Sequence, residues 1–370
     1  MNVTRRVAVV TGTRAEYGLL RTVMRAIEGH RQLSLEVLVT GTHLLGPAHT
    51  LREVEADFEV AAKIPMQREA VTGRFADAAA LGRGVSGFAE HFQRAAPDVV
   101  LVLGDRVEPF AAAAAASASG IRIAHLHGGD RAEGVADEAW RHAITKLAHI
   151  HLPASPQSAE RIIAMGELPL HVHLVGSPAL DELEEFSPLD DETYRQLGQP
   201  EIVFLLHPTG EQEEVEYARA KELLQMCASL GRMVALHPNH DPGRDGIVRA
   251  IEESGLPQRP HLPRPEFIGL LKRARAIVGN SSGGLIECAA LQLPCVNIGT
   301  RQRGREKPAH VRNVPEWNSP SIRVAIERAL IPSSQAIRHH YGDGRAGEKS
   351  AQVLATFAPA NFPIRKQNVY

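Results

Sequence analysis

Short, nearly uninterrupted apolar runs alternate with longer amphipathic stretches along this chain, and they do so in both halves. In the first half the runs are Val7–Val10, Leu35–Val39, Val99–Leu103, Ile121–His125, His149–Leu152 and Val172–Val175. Helix-like segments separate them at Tyr17–Glu28, Phe75–Arg94, Val107–Ser119, Val135–Ala148 and Ser158–Met165. Runs this short, without polar alternation, suit strands buried on both faces. Strand, helix, strand in repetition predicts a parallel sheet wrapped by helices. The unbroken alanine run Ala111–Ala116 predicts a thin helix packed tightly on that sheet.

The stretch Ser187–Pro200 is polar and rich in breakers, and reads as an inter-domain connection with a short helix inside it. The pattern then restarts. Strands are predicted at Ile202–Leu206, Met233–Leu236, Ala276–Val278 and Cys295–Ile298. Helices are predicted at Glu213–Ser229, Ile247–Ser254, Phe267–Arg275 and about Gly283–Leu291. A last helical segment, Gly347–Phe357, precedes a polar tail. The organisation expected is therefore an α/β domain over residues 1–186, a second over 200–345, and a C-terminal helix and tail over 346–370 packing back on the first. A length of 370 residues accommodates two domains at roughly 150 residues each.

Composition narrows the partners. Lys+Arg is 41 against Asp+Glu 43, a net charge of −2, which argues against a nucleic-acid partner needing a basic face. An anionic ligand would have to be small and gripped by a local cluster. No apolar stretch approaches the roughly 20 residues that span a membrane. Cys227, Cys288 and Cys295 form neither a disulfide framework nor a Cys-x-x-Cys zinc pair, so reduced, buried thiols in a cytoplasmic protein are expected.

In open parallel sheets ligands sit beyond the C-terminal ends of the strands, and two such domains would place a site in the cleft between them. The unusual residues do follow strands. After the first comes Thr11-Gly12-Thr13-Arg14-Ala15-Glu16-Tyr17-Gly18, a turn that fits neither a dinucleotide fingerprint nor a Walker loop. Arg14, read as buried in that turn, points to an anion site. After Val99–Leu103 comes Gly104-Asp105-Arg106-Val107-Glu108, where Asp105 is either a helix N-cap or a carboxylate set beside a guanidinium in a cleft. After Ile121–His125 come His127, Asp130, Asp137 and Glu138, the densest polar knot in the chain. Its spacing matches no common metal motif. Neighbouring carboxylates push their pKa values apart and so supply an acid and a base, although Asp137 and Glu138 also suit the first turn of a helix.

In the second half the strand-end motifs are His207-Pro208-Thr209, His237-Pro238-Asn239, Gly279-Asn280-Ser281-Ser282-Gly283-Gly284 and Gly299-Thr300-Arg301-Gln302-Arg303-Gly304-Arg305. Small residues and hydroxyls at a helix start suit a diphosphate. Glu287 stands where it could reach a ribose diol, and the arginines read as phosphate ligands.

Taken in order, these motifs resemble the UDP-N-acetylglucosamine 2-epimerases, in particular the hydrolysing branch that supplies amino sugars for sialic-acid-like nonulosonic acids. The resemblance reaches to about residue 315. It implies two Rossmann-like domains of the glycosyltransferase-B type, a UDP-sugar substrate, no cofactor or metal, and a homodimer. Carried over by position, Asp105 and Asp137 match catalytic carboxylates, with Glu138 and His127 supporting them and His207 near the diphosphate. Arg14, Ser281, Ser282, Glu287 and Arg301 match residues around the nucleotide, and Asn239 a uridine-side contact. Arg106, Asp130 and Gly283 complete the expected substrate contacts. Many members carry a catalytic Glu within His-Ile-Glu-Gly-Gly. Here that position is His127, as in a subgroup with His-Ile-His-Gly-Gly-Glu, and the last acid of that subgroup is shortened to Asp130. The implied reaction eliminates UDP to a glycal and hydrates it to the free 2-epimeric sugar. A non-hydrolysing epimerase, an acceptor-dependent sugar transferase and a non-catalytic nucleotide-sugar binder are the alternatives.

Overall fold

The computed structural model describes residues 4–46, 50–69, 71, 73–132, 138–239, 241, 243–332, 336–367 and 369. It divides into two compact units. The first holds the described residues up to Asp130, those from Glu138 to Asp181 and those from Tyr341 on; the second holds Arg131, Ala132 and the described residues of Glu182–His340.

The strands of the first unit are β1 (Arg5–Thr11), β2 (Leu33–Thr40), β3 (Val60–Ile64), β4 (Val99–Leu103), β5 (Arg122–Leu126) and β6 (Ile150–Leu152). They form one parallel sheet in the order β3-β2-β1-β4-β5-β6. Its helices are α1 (Arg14–Glu28), α2 (Leu51–Asp57), α3 (Arg74–Ala95), α4 (Val107–Ala118), α5 (Glu138–Leu147) and α6 (Pro156–Ala164). Apolar clusters cover both sheet faces, because the central strands present side chains alternately to each side. The alanine run does what its thinness predicts: Ala111, Ala112, Ala113, Ala115 and Ala116 are buried, and α3 approaches so closely that a Cβ on Gly84 would meet the Ala111 methyl at 2.9 Å.

The second unit runs α7 (Asp191–Gln196), β7 (Ile202–Leu205), α8 (Glu213–Leu230), β8 (Met233–Leu236), α9 (Arg244–Glu253), β9 (Gln258–Arg259), α10 (Arg264–Leu271), β10 (Ala276–Gly279), α11 (Glu287–Ala290), β11 (Cys295–Ile298), β12 (Val311–Val314) and α12 (Ser319–Ala329). Its sheet is also parallel, in the order β12-β11-β10-β7-β8-β9. Counted from its own first strand this is the same order as in the first unit, the doubly wound Rossmann order. The topological switch points, where ligands bind in such sheets, therefore fall at β1/β4 and at β7/β10. Helix α13 (Ala346–Thr356) returns to the first unit, where Asp181 caps it by accepting from the N–H groups of Ala346 and Gly347 at 2.8 and 2.7 Å.

Three expectations need correction. Val172–Val175 is not a strand of the ladder: it runs beside β6 through a single parallel bridge, His151 to Val172, and Pro169 and Pro178 bracket it. Gly283–Leu291 is not one helix but a 3₁₀ turn at Ser282–Gly284 followed by the short α11. The edge strands β3, β9 and β12 were not expected, because unlike the buried edge β6 they carry no continuous apolar face, and α2 and α12 were not expected either.

Candidate active site

The first unit gathers its polar groups at the ends of β1, β4 and β5. Thr13 caps α1, accepting from the Glu16 N–H at 3.4 Å. Arg14, expected to be buried in this turn, is not: its side chain is 31% exposed and pairs with Glu53 of α2 at 3.0 Å. Asp105 is not the N-cap of α4, a position held by Arg106 without a side-chain cap. Its Oδ2 instead accepts from Nη2 of Arg141, a buried residue of α5. The same guanidinium donates to the backbone oxygen of His127 at 3.3 Å and stands 3.9 Å from Glu138. Arg141 therefore joins the Asp105 and His127 loops, a task the sequence did not assign to it. Glu138 opens α5 as expected and also pairs with His142 at 3.4 Å. Asp137 lies outside the described residues.

His127 sits in the left-handed backbone region, φ 61°. Its Nδ1 lies 2.8 Å from Asp130 Oδ2 and its Nε2 3.1 Å from Ser177 Oγ. Asp130 Oδ1 accepts from Ser158 Oγ at 2.8 Å, and Ser158 lies 3.0 Å from Ser155. Both Asp130 oxygens are thus engaged inside the protein, so the geometry assigns Asp130 to holding His127. Next to them, His125 is fully buried between Gly104 O and Thr145 Oγ1, and burial pushes it down to about 3. It is a neutral structural histidine.

In the second unit β7 and β10 meet through Asn280, whose side chain accepts from His207 N–H at 2.7 Å and donates to His207 O at 2.8 Å. Gly279, at φ 150°, permits this: a Cβ there would strike the Leu205 carbonyl oxygen. The Asn280 backbone carbonyl oxygen in turn accepts from Arg301 Nη1 at 3.2 Å and Gln302 Nε2 at 3.0 Å. His207 is buried, and desolvation, then the nearby Arg301 charge, holds its pKa well below the usual range. Its Nδ1 accepts from the Asn239 N–H at 3.1 Å, so the neutral ring carries its proton on Nε2. Ser281 caps the turn that contains Ser282 and Gly283, its Oγ accepting from the Gly283 N–H at 3.3 Å. Glu287 packs under this turn and pairs with Arg264 at 3.4 Å. The sequence reading did not give Asn280, Gln302 and Arg264 roles.

Among the described residues no group of His, Cys, Asp and Glu is arranged to hold a metal ion. No helix among them is long and apolar enough to cross a membrane. The first unit thus gathers carboxylates and a histidine at its strand ends, and the second gathers neutral and cationic donors at its own.

The sequence profile of the UDP-N-acetylglucosamine 2-epimerase family matches residues 25–355. A UDP-N,N'-diacetylbacillosamine 2-epimerase (hydrolyzing) from Legionella pneumophila is 35% identical, covering 99% of this chain and 100% of that protein. A UDP-N-acetylglucosamine 2-epimerase from Neisseria meningitidis is 29% identical, covering 88% of this chain and 87% of that protein. The crystal structure of the Methanocaldococcus jannaschii UDP-GlcNAc 2-epimerase in complex with UDP-GlcNAc and UDP shares the fold. Its TM-score is 0.79 at 17% identity, with 94% of this chain and 99% of that chain covered.

Proposed function

The chain belongs to the UDP-N-acetylglucosamine 2-epimerase family, and from that premise we propose that it is a hydrolysing 2-epimerase acting on a UDP-linked 2-acetamido sugar. The substrate favoured is the 2,4-diacetamido-trideoxy sugar nucleotide, with UDP-N-acetylglucosamine as the second choice. The full-length identity to the Legionella pneumophila enzyme supports that order. The observation that carries the chemistry is the contrast between the units: acid/base groups in one, neutral and cationic donors in the other.

The C2 proton of such a sugar is not acidic, so departure of UDP must run ahead of its removal. The C1–O bond breaks with its electrons going to the diphosphate, oxocarbenium character builds at C1, and loss of the C2 proton leaves a glycal. Charge on the leaving diphosphate calls for fixed donors. We assign Nε2–H of His207, the Ser281–Gly283 turn and Arg301 to this task, with Arg14 as a further cation. Glu287 takes the ribose hydroxyls and Asn239 the base. We assign Asp105 and Asp137 to proton transfer at C1–C2, supported by Glu138 and by the His127–Asp130 pair, with Arg106 contacting the sugar. Each well-placed acid/base group contributes about 10²–10⁴-fold. Water then adds its hydroxyl to C1 and a proton enters the opposite face of C2, which releases the free epimer.

We place the reaction in nonulosonic-acid biosynthesis, in the cytoplasm, with the chain as a homodimer; three buried free thiols suit a reducing compartment. The test is proton NMR of the enzyme with each UDP-sugar in D₂O. Free sugar epimerised at C2 and carrying deuterium there is the outcome expected. A product still bound to UDP would overturn the hydrolysing reading.

A further inference from the structure

Beneath the loops of the first unit lies a carboxyl pair that the proposed chemistry does not use. Glu108, in the first turn of α4, is 1% exposed, and Glu16, in the first turn of α1, is 6% exposed. They meet at Gly12. The Gly12 N–H donates to Glu16 Oε1, while the Glu108 stem occupies the space a Gly12 Cβ would need, with Cγ only 2.5 Å away. Gly41, just after β2, is hemmed in by the same residues: a Cβ there would meet the Gly12 carbonyl oxygen first and then stand 2.9 Å from Glu108 Cγ and Oε1. Glu108 Oε1 accepts from Gln67 Nε2, beyond β3, at 2.6 Å. Its Oε2 is buried without a hydrogen bond, 3.8 Å from Arg106 Nε. One carboxylate thereby touches the segments that follow β1, β2, β3 and β4.

The pocket is poor in counter-charge. Arg106, itself 35% exposed, is the cation that reaches both acids. His43, on the segment after β2, is driven down to about 4 by burial and adds no charge at neutral pH. Gln67 and the Gly12 N–H are neutral donors. Two buried carboxyls converging on Gly12, with one partly solvated arginine 3.8 Å from Glu108, are a costly arrangement if both are charged, and a proton on one of them removes the repulsion.

We propose that Glu16 keeps its proton at neutral pH beside the buried Glu108, and that the two side chains converging on Gly12 are the positioning element that keeps the Gly12–Arg14 turn and the Asp105–Arg106 segment in place. Burial, then the Glu108 charge, pushes Glu16 up to about 8, which agrees with that assignment. The importance of the pair for turnover rests on the function proposed above; the pair itself does not.

The test separates the two. In the full-length protein with ¹³C-labelled glutamate carboxyls, one resonance should remain protonated at pH 7 and titrate near pH 8, and the Gly12 amide should shift with the same midpoint. Both signals should vanish in Glu16→Gln, and in Glu108→Gln the remaining acid should return toward the ordinary carboxylate range. Glutamates all ionised at pH 7, or a Gly12 amide indifferent to the titration, overturn the proposal. In the activity arm, wild-type kcat/KM should fall about tenfold per pH unit above the midpoint, whereas Glu16→Gln, whose amide mimics the protonated acid, stays flat there. An alkaline fall that persists in Glu16→Gln overturns the positioning role. A protein that shows the NMR titration but releases no UDP overturns the functional reading and leaves the pair standing.

Discussion

His127 and Asp130 form one buried unit, Nδ1 to Oδ2 at 2.8 Å, with side chains 7% and 2% exposed. The carboxylate accepts from Nδ1–H, which leaves Nε2 to accept from the Ser177 hydroxyl, whose oxygen already accepts from the Ala179 N–H. The tautomer is thus fixed from both sides. Asp130→Asn offers an amide, which can donate as well as accept, where the ring needs an acceptor alone, so the imidazole loses its fixed tautomer. The expected result is a fall in kcat of about 10²-fold with little change in KM. Nitrogen NMR of His127 should show mixed tautomers in the variant. A wild-type kcat would remove His127 from the acid/base machinery.

Asp105 and Arg141 give the second prediction. Asp105 is one-fifth exposed, so part of it faces the loops rather than the core, while Arg141 is 5% exposed and anchors it. Asp105→Asn keeps a hydrogen-bond acceptor for the guanidinium but loses the base. UDP release, followed by a coupled assay, should drop by about 10²–10⁴-fold. Loss of the charge should cost stability only about 1–3 kcal/mol, so the variant folds. Retention of most of the activity would mean that Asp105 merely orients Arg141.

Asn280 tests the second unit. Its side chain satisfies both backbone groups of His207, while its backbone carbonyl, which the alanine variant keeps, receives Arg301 and Gln302. Asn280→Ala leaves a buried N–H and a buried C=O unpaired, at a cost of about 2–4 kcal/mol. Without the clamp His207 and Arg301 lose their common register, so calorimetry should show UDP binding weakened at least about tenfold. Unchanged UDP affinity would place the diphosphate away from β7/β10.

The pattern of strands and helices was legible because the central strands β1, β4, β5, β7 and β10 are buried on both faces and so must be written as apolar runs. Of the edges only the fully buried β6 was, since β3 (Val-Ala-Ala-Lys-Ile) and β12 (Val-Arg-Asn-Val) keep one side toward solvent. Polar residues that stand alone after a strand, such as Asp105 and His207, could be picked out as candidates by position. Those that work through contact could not. Arg141 meets Asp105 across 36 positions and Asn280 meets His207 across 73, distances at which a single sequence carries no pairing signal. Arg14 misled because a cation in a Gly turn suggests burial, while its partner Glu53 lies on a helix the apolar pattern did not reveal.

The buried histidines predict how the fold responds to acid. Burial pushes His125 down to about 3 and His43 and His149 to about 4, and lowers His207 as well. In the unfolded chain each titrates near its ordinary value of about 6.5. Above that value both states are neutral and stability is unaffected. As pH falls below it, the unfolded chain takes up protons that the folded chain refuses, so stability drops until the folded values are reached. Each such group contributes up to about 1.4 kcal/mol per pH unit across that window. Glu16 acts in the opposite sense, since its raised value favours the folded state as pH falls from about 8 toward the ordinary carboxylate range. One carboxyl does not offset several histidines below pH 6.5, so urea midpoints measured at pH 7, 6 and 5 should decline steadily. His125→Gln, which can still donate to Gly104 O, should flatten that decline. An identical slope in the variant would show that His125 is protonated in the folded protein.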